Sequence, residues 1–108
     1  MILVYISHPY TGNEAENVLK MRECCRKIKK QHKDWALFNP LDNHIYAHGR
    51  YNYQDFIDMD LFILSKCDIA VFCGEWEHSK GCIKEYNEAK RLGLKVYFVN
   101  GSQDNKQR

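Results

Sequence analysis

The sequence predicts an α/β fold built on a parallel sheet, and two observations support this prediction. Short apolar runs without polar alternation, such as residues 2–6 and 69–73, are typical of strands that are buried on both faces. Longer amphipathic patterns separate these runs, as expected of helices that connect one parallel strand to the next. At 108 residues, we expect a single domain over residues 1–99, followed by a polar, frayed tail over residues 100–108.

Strand and helix patterns follow one another along the chain. We predict strands over residues 2–6, 35–38, 68–73 and 95–99 and helices over residues 14–32, 53–66 and 80–92. Residues 41–52 are predicted to form a loop above the sheet, with or without a helical turn. Asn13 and Ser79 are expected to cap helices, because their side chains can accept a hydrogen bond from a free N–H of the first turn. Gly93 is expected to end the last helix. The apolar stripe of the first helix is predicted to contain Ala15, Val18, Leu19, Cys25 and Ile28.

The order of the strands follows from the connections between them. Right-handed crossovers leave few arrangements of four parallel strands, and the simplest is the flavodoxin-like order 2-1-3-4. Helices then cover both faces, which gives a three-layer, Rossmann-like sandwich. The switch point lies between the first and third strands, so a ligand is expected between residues 7–12 and 74–79, with Tyr5 facing it. The helix start at residues 79–82 offers backbone N–H groups to an anion.

Composition and charge exclude several classes of function. The apolar share of 44% and the charged share of 28% are those of an ordinary globular protein. A net charge of +2 is too small to indicate a nucleic acid or membrane partner, and no apolar run approaches the roughly 20 residues that span a bilayer. The apolar start is too short for a signal peptide. The five cysteines are odd in number and contain no C-x-x-C pair, so we expect buried free thiols in a reducing cytoplasm.

Neither a cofactor nor a metal ion is expected. The sequence contains no G-x-G-x-x-G or Walker A pattern, which argues against a dinucleotide or nucleoside triphosphate site. His44 and His48 have a spacing that can bind a metal on a helix, but no third ligand accompanies them. The basic residues between positions 20 and 33 are expected to form a solvated helix face.

Two carboxylates are predicted to point toward the interior, each from a different helix. On a helical wheel, Glu85 lies within the apolar arc of its helix, and Asp60 lies in the middle of the buried stripe of the preceding helix. A carboxylate that faces a core is unfavourable unless it is paired or faces a cleft. Two carboxylates and a hydroxyl over a crevice suit glycosidic chemistry, in which one attacks or stabilises the anomeric carbon and the other protonates the leaving group. We expect burial to raise the pKa of the proton donor.

A set of short motifs is distributed between residues 5 and 85, within a resemblance that covers residues 2–99. The motifs are Tyr5-Ile6-Ser7-x-Pro9-Tyr10-x-Gly12, Asn39-Pro40, Asp60-Leu61, Cys67-Asp68, Trp76 and Ser79-x-Gly81-x3-Glu85. In this combination the chain resembles the nucleoside 2-deoxyribosyltransferase-like superfamily, and it is most similar to short bacterial and phage members that share the start of the first motif. The Ser-x-Gly-x3-Glu element together with the upstream Asp-Leu is the most specific part of the resemblance.

The resemblance implies a role for each matching residue. Glu85 would be the nucleophile that forms a covalent 2-deoxyribosyl-enzyme, Asp60 would protonate the base or relay protons to it, and Tyr5 would position the nucleophile. Ser79 matches a serine that helps to hold the 5′-phosphate in deoxynucleoside monophosphate hydrolases, where the transferases have aspartate. The other implied substrate-binding residues are Ser7, His8, Pro9, Tyr10, Trp76 and Gly81. His8 departs from the small residue usual in the family, and it could narrow the site or add a polar contact.

The resemblance also implies a small-molecule nucleoside or nucleotide as substrate and a homo-oligomer of at least two copies, with no nucleic acid polymer or membrane as partner. The sequence leaves open the base, the presence of a 5′-phosphate, and whether water or a second base intercepts the covalent sugar. An alternative is a non-catalytic module that binds or senses a nucleotide in the same crevice. A weaker alternative is a contact between the basic first helix and a phosphate backbone.

Overall fold

The fold is that of a computed structural model, which describes residues 1–44, 49 and 51–99 and the backbone of residues 106–107. In chain order the elements are β1 (Ile2–Ser7), α1 (Glu14–Gln31), β2 (Trp35–Phe38), α2 (Pro40–Asn43), α3 (Tyr53–Leu64), β3 (Ile69–Cys73), a short 3-10 helix (Trp76–His78), α4 (Lys80–Leu92), β4 (Lys95–Val99) and β5 (Lys106–Gln107). None of the helices in these residues combines the length and apolar character needed to cross a bilayer.

The strands form one sheet in the order β2-β1-β3-β4-β5. β1 pairs in parallel with β2 and β3, and β3 pairs in parallel with β4. The predicted α/β fold with strand order 2-1-3-4 is therefore confirmed, and β1 and β3 lie side by side at the predicted switch point. β5 pairs antiparallel with β4, and the sequence did not predict this strand. The rest of the predicted frayed tail, residues 100–105 and 108, lies outside the described residues.

Side chains of the central strands alternate between two apolar cores, one on each face of the sheet. On β1, Val4 and Ile6 belong to the core under α1, whereas Tyr5 belongs to the core under α3 and α4. On β3, Cys73 lies on the α1 side and Phe72 lies on the other side. Because successive side chains of a strand point to opposite faces, every second residue of β1 is directed toward α3 and α4.

Both ends of α4 are stabilised as the sequence predicts. The Ser79 side chain accepts a hydrogen bond from the backbone N–H of Cys82 at 3.3 Å, which satisfies one of the free donors of the first turn. At the other end, Gly93 adopts the left-handed conformation with φ of 75°, which glycine tolerates without steric cost. These two caps fix where Glu85 lies along the helix.

Two predictions about α1 are wrong. Asn13 precedes the helix, but its side chain makes no capping hydrogen bond, and the Glu14 carboxylate instead accepts from the backbone N–H of Gly12 at 3.1 Å. Leu19, predicted to face the core, is 63% exposed, whereas Met21 is fully buried. Leu19 is two residues from Met21 and therefore lies roughly 200° away around the helix, on the solvent side.

The segment after β2 begins with a short helix, α2, which agrees with the helical turn that the sequence allowed in the predicted loop. The Asn39 side chain accepts hydrogen bonds from the backbone N–H groups of Leu41 (3.0 Å) and Asp42 (3.2 Å) and caps α2. Residues 45–48 and 50, which include His48, lie outside the described residues.

Candidate active site

Glu85 is buried between α4 and the carboxyl end of β1. Its side chain is 5% exposed, and two hydroxyl groups donate to its carboxylate. The Ser7 hydroxyl donates to Oε1 at 2.7 Å, and the Tyr5 hydroxyl donates to Oε2. Tyr5 and Ser7 are two residues apart on β1, so strand alternation directs both toward the face that α4 covers. The carboxylate that the helical wheel places on the inner face of α4 therefore has two hydroxyl partners.

The protonation of Glu85 is governed by its burial. Burial raises the pKa of Glu85 to about 7, and the hydrogen bonds from Tyr5 and Ser7 act in the opposite direction because they favour the ionised form. The pKa of Tyr5 is raised well above its ordinary value, first by burial and then by the charge of Glu85, so Tyr5 keeps its proton and remains a donor. The sequence led us to expect the raised pKa at the proton donor. The structure raises the pKa of the expected nucleophile, because α4 holds Glu85 against the solvent-inaccessible end of β1.

Asp60 is the second buried carboxylate, and it pairs with a histidine. Asp60 is 4% exposed, and Nε2 of His44 lies 3.1 Å and 3.0 Å from its Oδ1 and Oδ2. The ring of Phe56 packs 4.5 Å from the imidazole, and the ring of Tyr10 approaches it edge-on at 6.3 Å. Both groups can take up and release protons, so this pair is a candidate proton donor or acceptor at the site.

The sequence singled out His44 only for its spacing from His48. The latter lies outside the described residues, and among the residues that are described no three His, Cys, Asp or Glu side chains are grouped closely enough to hold a metal ion. The pairing of His44 with Asp60 joins residues that are 16 apart in sequence. A local pattern could not reveal it, because it depends on how α2 and α3 pack at the edge of the sheet.

Both carboxylates line one cleft, with a volume of about 1560 Å³, at the carboxyl edge of the parallel strands. A cleft of this size can accept a small-molecule ligand. The other predicted site residues that line it are His8, Pro9, Tyr10, Ser79 and Gly81. Tyr5 and Ser7 are fully buried and do not line the cleft. They act on it only through the hydrogen bonds that they donate to Glu85.

His8 lies in the crevice between the loops that follow β1 and β3. Its Nδ1–H donates to the backbone carbonyl of Pro9 at 2.7 Å, so the neutral ring carries its acceptor at Nε2. A Cβ added at Gly74 would lie 3.5 Å from this nitrogen, and Gly74 has a φ of 62°. Burial lowers the pKa of His8, which favours the neutral ring. His8 thus narrows the gap between the two loops and presents a polar atom there.

Trp76 lies away from the cleft. Its ring packs 4.9 Å from Tyr86, 5.3 Å from Phe72 and 5.4 Å from Phe98, and all three belong to or border the core under α3 and α4. The 3-10 helix turns the indole toward β4, so the structure does not bring Trp76 to the predicted binding site. Its contacts are those of a core residue.

Comparison with known proteins identifies a family. The family model described as "Domain of unknown function (DUF7768)" matches residues 2–99. The chain belongs to the DUF7768 family. No curated protein sequence shows a significant match to this DUF7768 chain.

The DUF7768 chain is also similar to a solved structure described as "2-desoxiribosyltransferase from Leishmania mexicana". The TM-score is 0.67 with 19% sequence identity, and the match covers 93% of this chain. The chain spans 65% of the length of that protein, which is less than two thirds. At this identity the likeness shows a shared α/β fold, and the fold agrees with the family that the sequence motifs resemble.

Proposed function

We propose that this DUF7768 domain cleaves or transfers at the N-glycosidic bond of a 2′-deoxynucleoside or a 2′-deoxynucleoside 5′-monophosphate through a covalent glutamyl-deoxyribosyl intermediate. The observation that carries the proposal is the buried Glu85 carboxylate, which Tyr5 and Ser7 hold at a cleft shared with Asp60. A carboxylate that is fixed on one side and open to a cleft on the other suits attack on an anomeric carbon. The fold likeness to a 2-desoxiribosyltransferase supports the same chemistry.

In the first step, an ionised oxygen of Glu85 forms a bond to C1′ of the sugar while the bond from C1′ to the base breaks. The electron pair of the broken bond leaves with the base, and a proton from the pair formed by Asp60 and His44 neutralises it. Glu85 must be ionised for this step, and the hydrogen bonds from Tyr5 and Ser7 favour that form.

In the second step, water or another base attacks C1′, and the Glu85 carboxylate is released. The pair formed by Asp60 and His44 accepts a proton from the attacking group, which restores the starting state. Hydrolysis and transfer share this scheme, and the group that reaches C1′ first decides between them.

Ser79 and the start of α4 are proposed to hold the sugar or its 5′-phosphate. The Ser79 oxygen accepts from the N–H of Cys82, and its own O–H can donate to a ligand. The helix start adds a partial positive charge, and Lys80 lines the cleft beside it. The loop of residues 8–10 lines another part of the cleft and is proposed to contact the base.

The test is chromatography of free base released from the common 2′-deoxynucleosides and their 5′-monophosphates. We expect the wild-type protein to release base from at least one of them. Glu85→Gln should lower the rate at least about 10³-fold, as loss of the nucleophile does in other covalent enzymes. The matched control is Glu77→Gln, an exposed glutamate outside the cleft, which should leave the rate unchanged. Full activity of Glu85→Gln would refute the assignment.

An added acceptor base separates the two forms of the reaction. A new deoxynucleoside would show transfer, and free deoxyribose or its 5-phosphate would show hydrolysis. Calorimetric binding of a nucleotide without release of base by concentrated protein would instead indicate a nucleotide-binding module.

A further inference from the structure

Two of the five cysteines lie within bonding reach of each other, although they are far apart in sequence. The Sγ atoms of Cys24 and Cys73 are 2.6 Å apart, across 49 positions of the chain. Non-bonded heavy atoms prefer a separation of about 3.5–4.0 Å, whereas a disulfide bond is about 2.05 Å long. The two sulfur atoms are therefore much closer than two packed thiols, and only a small movement would join them.

The fold explains why these two thiols meet. Cys73 is the last residue of β3 and lies in the core under α1, and Cys24 packs against that core from α1. Cys67, also close to β3, belongs to the core on the opposite face of the sheet. Cys25 neighbours Cys24, but the short sulfur contact belongs to Cys24.

Cys24 is also the thiol of the pair that a reagent can reach. It is half-buried, whereas Cys73 is only 1% exposed, and both line the cleft. The hydrogen bond with Cys73 and the nearby charge of Lys27 lower the pKa of Cys24, whereas burial raises the pKa of Cys25 to about 12. A thiolate is the attacking species in disulfide exchange, so Cys24 is suited to react first.

We propose that Cys24 and Cys73 form a reversible disulfide that ties α1 to the end of β3, with a small-molecule disulfide such as oxidised glutathione as the oxidant. The Cys24 thiolate attacks one sulfur of the oxidant and releases one glutathione thiolate. The Cys73 thiol then loses its proton and attacks the Cys24 sulfur of the mixed disulfide, which releases a second glutathione. Both protein thiols are thereby oxidised, and one oxidised glutathione is reduced to two thiols.

The bond would act on the wall of the cleft. Gly74, which packs against His8, directly follows Cys73, and the loop closed by the bond contains both His44 and Asp60. Oxidation would therefore restrict the position of α1 relative to the end of β3, beside the candidate active site. The proposal does not depend on the reaction proposed for that site.

The test is to incubate the full chain with oxidised glutathione, block the remaining thiols with iodoacetamide and digest with trypsin. We expect two of the five thiols to escape alkylation, and a reductant to restore them. The cross-linked peptides should be residues 23–26 and 67–80, each of which contains two cysteines. Fragmentation of the wild-type cross-link assigns the two sulfur atoms directly, even if a variant fails to fold.

The matched controls are Cys25→Ser and Cys67→Ser, which lie in the same two peptides and should keep the cross-link. Cys24→Ser and Cys73→Ser should abolish it. The oxidised wild-type protein should melt at least about 4 °C above the reduced protein, because the bond closes a long loop, and Cys24→Ser should show no such difference. Five alkylatable thiols after oxidation, a glutathione adduct without a cross-link, or a cross-link that persists in Cys24→Ser would each overturn the proposal.

Discussion

Glu85 offers a test of the site that needs no substrate, because its burial makes the stability of the fold depend on pH. Burial raises the pKa of Glu85 from 4.5 to about 7, so the folded protein binds this proton more tightly than the unfolded chain does. The resulting contribution to stability is fully present below the unfolded pKa and is lost as pH rises through about 7. Glutamine has nearly the same shape and no charge, so Glu85→Gln should avoid this loss.

The size of the effect follows from the two pKa values. A folded value of about 7 against an ordinary value of 4.5 corresponds to about 3 kcal/mol, at about 1.36 kcal/mol per pH unit. Tyr5 and Ser7 can still bond to the amide, because a hydroxyl can rotate to accept instead of donating. We therefore expect the free energy of unfolding of Glu85→Gln, relative to wild type, to increase by about 3 kcal/mol between about pH 4.5 and about pH 8.

The measurement is urea unfolding followed by circular dichroism at a series of pH values, with equal m-values as the check on two-state behaviour. Glu77→Gln is the control, because this exposed glutamate should give a difference from wild type that stays nearly constant with pH. A difference between Glu85→Gln and wild type that also stays constant from acid to alkaline pH would refute the burial of an ionisable Glu85.

Two kinetic results are expected if the proposed reaction is observed. Base release by the wild-type protein should rise with pH through about 7, as Glu85 ionises. Tyr5→Phe removes one hydrogen-bond donor to that carboxylate, and such a bond contributes about 1.5 kcal/mol. The pH at which the rate rises should therefore increase by about 1 pH unit. An unchanged pH–rate profile would contradict the role of Tyr5. His44→Gln still offers a hydrogen-bond donor to Asp60, but an amide cannot take up the proton that the reaction transfers. We therefore expect kcat to fall about 10²-fold or more with little change in KM. An unchanged kcat would show that Asp60 acts without His44.

The strand order and the two inward carboxylates could be predicted because each depends on a short-range pattern. Strands buried on both faces are continuously apolar, and right-handed crossovers leave few ways to order four of them. The helical period likewise places Glu85 and Asp60 on inner faces without knowledge of the partners. Both residues are buried in the structure, and both line one cleft.

Predictions failed where two elements had to be placed against each other. Leu19 looked apolar enough for the core, but the orientation of α1 is set by Met21 and Ile28, which pack on β1 and β3. Trp76 lies in a motif beside the site, yet its ring packs against Phe98 of β4. The hydrophobicity of a side chain predicts that it is buried. It does not predict which of the two cores will contain that side chain.

The sequence alone therefore determined the α/β architecture, the edge of the sheet where the cleft lies and the identity of the two buried carboxylates. Only the tertiary structure decided what those groups meet. It pairs Glu85 with two hydroxyls of β1, pairs Asp60 with His44, and brings Cys24 to Cys73. These contacts join residues up to 80 positions apart, and they depend on how helices pack across the sheet. A periodic pattern describes one element at a time and contains no information on that packing.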